Sequence, residues 1–166
     1  LPKRWKTSIS RKLDRAINDS EPKEKSLRCT LYIRRKGAGG NATDESRIGS
    51  SLDEYLPSVR LLNEAGYQVL LIGDQPLTHE IHAEFGGWLV DSAKLGIRRD
   101  KFSLFAGMEA DIFIGESGGA SNLPLLKDVP CLIMNSFPYY FGLPNSWLYY
   151  KTVRDEKGRL VHYSEL

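Results

Sequence analysis

Apolar residues recur in this chain with two different periods, and the switches between them mark out its elements. Short unbroken apolar runs occupy 69–72, 112–114 and 131–134, as expected of strands buried on both faces of a sheet. Residues 27–34 alternate and are rich in β-forming types, which predicts the first core strand. Helical spacing takes over at Leu52, Tyr55, Leu56, Val59 and Leu62. Ser50 or Ser51 can cap that helix, with Glu54 in capping-box position, and Gly66 closes it as a C′ residue. Pro57 marks either a kink or a second start. Further helices are predicted over 76–85 and 101–109, and a short strand over 88–90. The strand at 112–114 leads through a small-residue turn into a helix, and then into the strand at 131–134.

Strands alternating with helices predict an α/β fold, a doubly wound parallel sheet of Rossmann-like type. Residues 3–18 form a basic, helical lead-in that breaks at 18–22. Two regions are therefore expected: a lead-in or linker over 1–26 and a nucleotide-binding type of domain over 27–166. The tail reads as an appended C-terminal β-hairpin, with 149–154 and 159–163 flanking the turn at 155–158. Residues 36–50 are Gly-rich, polar and without period, a long loop of the kind that is functional or disordered.

Composition narrows the class. A chain of 166 residues, 41% hydrophobic and 27% charged, suits one globular core. Its apolar runs are strand-length, far below a membrane span, and the basic, polar start does not resemble a signal peptide. The chain opens on Leu1 rather than Met, which leaves open a partner domain or membrane anchor outside it. Cys29 and Cys131 fall in predicted buried strands, so free thiols in a reducing compartment are expected rather than a disulfide. Charge is asymmetric: residues 1–36 carry twelve Lys/Arg against four Asp/Glu, whereas the remainder is net acidic. Such an arm could meet nucleic acid, an anionic membrane face or another domain, although a solvated linker helix is the more ordinary reading. With only Trp5 as an interleaved aromatic, nucleic acid is not expected as a partner.

Three groups of residues could carry chemistry. Gly115, Glu116, Ser117, Gly118, Gly119, Ala120 and Ser121 follow a buried strand. Glycines there admit close backbone approach, Ser117 and Ser121 offer hydroxyls, and a following helix would present its positive end to an anion. Against this stands a plain strand-to-helix turn with serine caps. Arg34 ends the first strand and Arg47 lies across the long loop; guanidinium groups at a strand's carboxyl edge suit bidentate capture of a diphosphate. Asn135 ends the 131–134 strand, followed by Phe137, Tyr139 and Tyr140. These could hydrogen-bond and stack a base or sugar, or fold back on the core. Other signals are weaker. His79 and His82 lack a third ligand for a metal, Glu109 and Asp111 precede their strand at the wrong edge, and His162 alone follows Ser117 as a partner for a serine nucleophile, so a serine hydrolase is a weak rival.

Arg34, Tyr55, the strand 66–74 ending Gly73-Asp74, Leu89-Val90-Asp91, 111–118 and 129–135 occur in an order and spacing found in one family. The chain resembles a family of glycosyltransferases associated with bacterial surface carbohydrates, similar to the C-terminal nucleotide-sugar lobe of GT-B enzymes. The resemblance covers roughly residues 28–166. It departs at Tyr32, where related transferases often have His, and at Ile72, where the family often has Arg. The resemblance implies transfer of a sugar from a nucleotide diphosphate sugar to a carbohydrate or glycolipid acceptor, without metal or other cofactor. Arg34 would be the catalytic contact to the diphosphate. Arg47, Asp74, Glu116, Ser117, Gly118, Gly119, Ser121 and Asn135 would contact donor or acceptor. A second lobe would complete the enzyme, in the cytoplasm or peripheral to the inner membrane. The alternatives are a non-catalytic nucleotide- or phosphosugar-binding module and an interaction domain.

Overall fold

A computed structural model describes residues 1–17, 27–34, 50–136, 144–150, 152 and 154–161. Its centre is a sheet of six parallel strands: β1 (Leu27–Ile33), β2 (Tyr67–Gly73), β3 (Leu89–Val90), β4 (Ile112–Glu116), β5 (Cys131–Ser136) and β6 (Ser146–Tyr150). Their spatial order is β3-β2-β1-β4-β5-β6, the order of Rossmann sheets. Helices α1 (Lys3–Ile17), α2 (Leu52–Glu64), α3 (His79–Phe85) and α4 (Arg99–Glu109) flank it. The fold is the doubly wound α/β type that the alternation of elements predicts.

The unbroken apolar runs have the expected cause. Successive side chains of one strand point to opposite faces. Leu70 and Ile72 therefore join Phe102, Phe105 and Ala106 of α4 on one side, with Phe113, Cys131 and Ile133. Val69 and Leu71 join Tyr55 and Val59 of α2 and Ile81 and Phe85 of α3 on the other, with Cys29, Leu31 and Ile33. The two cysteines thus lie in different core layers, and both are free. Among the described residues no helix is long and apolar enough to cross a membrane.

Local signals account for the boundaries. Ser51 caps α2 with Glu54 completing the capping box, and Pro57 sits inside that helix without ending it. Pro57 lies in the second turn, where its missing N–H forgoes one bond, to the Asp53 carbonyl, and the helix continues past it. Thr78 caps α3, whose described start is thus later than residue 76.

Three features differ from the sequence reading. First, no α-helix joins β4 to β5. The connection is two short 3-10 turns, Gly119–Asn122 and Pro124–Lys127, and Asp128 in the left-handed region ends the second. Ser121 Oγ donates to the Gly118 carbonyl at 2.5 Å and Asn122 Nδ2 to that of Gly119 at 3.4 Å. These local bonds compete with helix propagation, and Pro124 supplies no N–H to extend it. Second, residues 146–150 form a sixth sheet strand beside β5 rather than part of a hairpin arm. The antiparallel pairing among the described tail residues is the single bridge Arg154–Leu160, closed by Asp155 accepting from the Lys157 and Arg159 amides. Third, α1 is no solvated linker. Ile9 and Leu13 are buried in the core layer of α4, because the helix carries an apolar stripe as well as its charges.

Candidate functional site

In an open parallel sheet, ligands bind outside the carboxyl ends of the strands where the strand order reverses. Here that place lies between β1 and β4, flanked by Arg34 and by Ser117. The two converge: Arg34 Nη1 donates to the Ser117 carbonyl at 3.3 Å. Gly118 makes this approach possible. A Cβ at that position would stand 2.7 Å from the Tyr32 hydroxyl and 3.1 Å from Arg34 Cδ, so any larger residue would displace the arginine or the ring. Gly119 beside it is exposed, with open space where a side chain would be. The expected meeting of the position-34 guanidinium with the turn after β4 is therefore present.

The inner wall of this edge is a hydrogen-bond network around Glu116, which is 3% exposed. Its Oε2 accepts the Arg34 amide at 2.9 Å. Its Oε1 accepts the Ser50 amide at 2.7 Å, the Tyr55 hydroxyl at 3.1 Å and Asn135 Nδ2 at 3.1 Å. Asn135 holds a left-handed backbone conformation, φ 52°, and its Nδ2 also donates to Ser50 Oγ at 2.8 Å and the Tyr55 hydroxyl at 3.2 Å. Burial, reinforced by the Glu116 charge, raises the Tyr55 hydroxyl well above its ordinary pKa. Burial likewise raises Tyr32, with Arg34 pulling the other way.

The predicted residues thus separate into two sets. Arg34, Ser117, Gly118 and Gly119 form the rim facing the switch point. Glu116, Ser121 and Asn135, expected to touch a ligand, are engaged within the protein. Ser121 is fully buried and its Oγ bridges the N–H and C=O of Gly118, which makes it a cap for the turn. Arg47 and the aromatics at 137, 139 and 140 lie outside the described residues. The expected helix end behind the turn is replaced by 3-10 turns, so no α-helix dipole reinforces anion binding there. The start of α2 does not substitute for it. Gln75 Oε1 takes the Leu52 amide at 2.8 Å and Ser51 Oγ the Asp53 amide at 3.4 Å.

Asp74 directly follows β2 and accepts from Arg99, whose guanidinium also reaches the Gly73 carbonyl. The pair borders a cleft of about 180 Å³ lined by Gln75, Asp91, Ser92 and Ser103 among others. Arg99 is the functional candidate that sequence reasoning missed; an arginine opening a helix carries no motif. Asp111 lies at the opposite edge, as inferred, accepting the Arg28 amide at 2.8 Å. Among the described residues no three His, Cys, Asp or Glu side chains gather to hold a metal. Compared with protein-family models, with curated proteins and with solved structures, the chain matches none of them.

Proposed function

We propose that this chain is the donor-binding lobe of a metal-independent glycosyltransferase, holding a nucleotide diphosphate sugar at the carboxyl edge between β1 and β4. One observation carries the reading: Arg34 and the Ser117–Gly118 turn meet across the switch point. The motif resemblance supplies the substrate class. The acceptor hydroxyl oxygen bonds to the sugar's anomeric carbon as the bond from that carbon to the diphosphate oxygen breaks. Arg34 stabilises the charge that grows on the leaving diphosphate. The hydroxyl proton goes to a base on a second lobe, because Glu116 and Asp74 already accept from protein donors. That same engagement favours one other reading, a nucleotide- or phosphosugar-binding module without turnover.

A thermal-shift panel of GDP, UDP, ADP and CMP tests both. A ligand that binds only the native state adds about 2.7 kcal/mol of stability at a hundredfold excess over its Kd. One of the diphosphates is expected to raise Tm, and Arg34→Ala to abolish the rise while leaving the unliganded Tm unchanged. In a donor assay with the second lobe supplied, the same variant is expected to lose roughly 10²–10³ in rate. Nucleotide binding without any turnover selects the non-catalytic module, and no shift with any nucleotide removes both readings.

A further inference from the structure

We propose that the outer face of α1 is a docking surface for an anionic membrane. Its other face is committed to the protein: Ile9 and Leu13 are buried, and Leu1 and Ala16 pack against the same core layer. Several of its polar groups are also committed. Lys6 pairs with Glu109, Asp14 with Arg28, and Lys12 donates to the Leu95 carbonyl at 2.8 Å. Lys3, Arg4, Arg11 and Arg15 remain, all exposed and without an acidic partner among the described residues.

These charges form a line. At 3.6 residues per turn, positions 4, 11 and 15 fall within about 40° of one another around the helix, spread over about 16.5 Å of its length. With Lys3, Thr7 and Ser8 they border one open surface. The only acidic residue of α1, Asp14, is turned toward Arg28. Guanidinium groups are weakly hydrated and match phosphate oxygens bidentately, so a row of them complements a plane of lipid phosphates.

The helix is held rigidly. Gln68 Nε2 donates to the Leu13 carbonyl at 3.1 Å, and Arg28 reaches both Ser10 and Asp14. Docking therefore orders little new backbone. Because the apolar stripe faces the core, attraction is electrostatic and without insertion. Nucleic acid fits less well. Trp5, the single aromatic of α1, lies under the Lys101 ammonium, 4.3 Å from the ring centre, which leaves no platform on this helix for a base. The acidic balance of residues 37–166 also opposes a polyanion that wraps the protein.

The test is co-sedimentation of the full chain with phosphatidylcholine vesicles, with and without phosphatidylglycerol. Binding is expected only with the anionic lipid and is expected to fall as salt rises. At about fivefold per basic residue, Arg4→Ala, Arg11→Ala and Arg15→Ala combined should weaken partitioning roughly 100-fold. The triple Arg→Lys variant, which keeps the charge, should stay close to the parent, and both variants should melt at the parent Tm. The proposal is overturned by equal binding to neutral vesicles, by no binding to anionic ones, or by a triple alanine variant that binds like the parent. Tighter binding to single-stranded RNA than to vesicles, lost in the same variant, would assign the face to nucleic acid instead.

Discussion

Glu116 and Arg34 leave their strands side by side, yet their environments assign them opposite tasks. The carboxylate is enclosed and meets two backbone amides, a phenol and a side-chain amide. A buried carboxylate is tolerated only when its lone pairs are filled in this way. It therefore ties Arg34 and Ser50, the residues on either side of 35–49, to one point. Glu116→Gln would turn one acceptor oxygen into an N–H donor facing donors, so a loss of roughly 1–3 kcal/mol is expected. Urea denaturation measures it, and unchanged stability would show that the network holds nothing together. Arg34, by contrast, spends its side chain on one long bond among the described residues, to the Ser117 carbonyl. Its removal is expected to reach ligand affinity rather than folding.

Among the elements, α1 depends on contacts that allow no substitution by size. A Cβ added at Gly87 would lie 1.8 Å from the Ala16 carbonyl oxygen, because the 3-10 turn Gly86–Trp88 passes directly under the end of the helix. Gln68 Nε2 bonds both the Leu13 carbonyl and, at 2.8 Å, that of Gly87, joining the two segments. Gly87→Ala must push α1 outward. A cost of about 1–3 kcal/mol is expected, together with faster proteolysis within residues 1–17. A variant as stable and as protease-resistant as the parent would mean that α1 does not belong to the folded core. Arg28 adds a second tie from the amino edge of β1, stacked over the Phe105 ring with its guanidinium 5.8 Å from the centroid. The β4–β5 connection contrasts with α1. Its short turns bond locally and rest on α4, where a Cβ added at Gly107 would lie 2.5 Å from the Leu123 Cβ.

Across the molecule, the doubly covered sheet buries groups that titrate only in alkali. Burial pushes the Cys29 thiol from 9.0 up to about 12, and it raises Tyr32 and Tyr55 as well. Each is neutral in the fold, and each has a folded pKa above its unfolded one. Well below pH 9 both states hold the proton, so the contribution is fully present. As pH rises further, the unfolded chain ionises first and stability falls, by at most ~1.4 kcal/mol per pH unit for each such group. Denaturant midpoints should therefore stay level near neutrality and fall steeply above pH 9. Cys29→Ala should reduce that slope relative to its own neutral stability, and a slope unaffected by the substitution would mean that the thiol titrates freely.

Local chemistry was enough to determine much of this protein. Capping at Ser51, the left-handed close at Gly66, the apolar runs and the alternation of strands with helices are encoded within a few residues, and together they specify a parallel α/β sheet. The rim of the site was legible for the same reason, since an arginine after β1 and a Gly-Gly turn after β4 lie at the carboxyl edge of any such fold. Tertiary structure decided what depends on neighbours far apart in sequence. It turned Glu116, Ser121 and Asn135 inward, brought Arg99 to Asp74, and made 146–150 a sheet strand. It also reduced an expected helix to 3-10 turns and drew the basic lead-in onto the core. A polar side chain at a strand end can face ligand or protein equally well by its own propensity. Only the donors that packing brings around it, such as Tyr55 and the Ser50 amide, determine which it does.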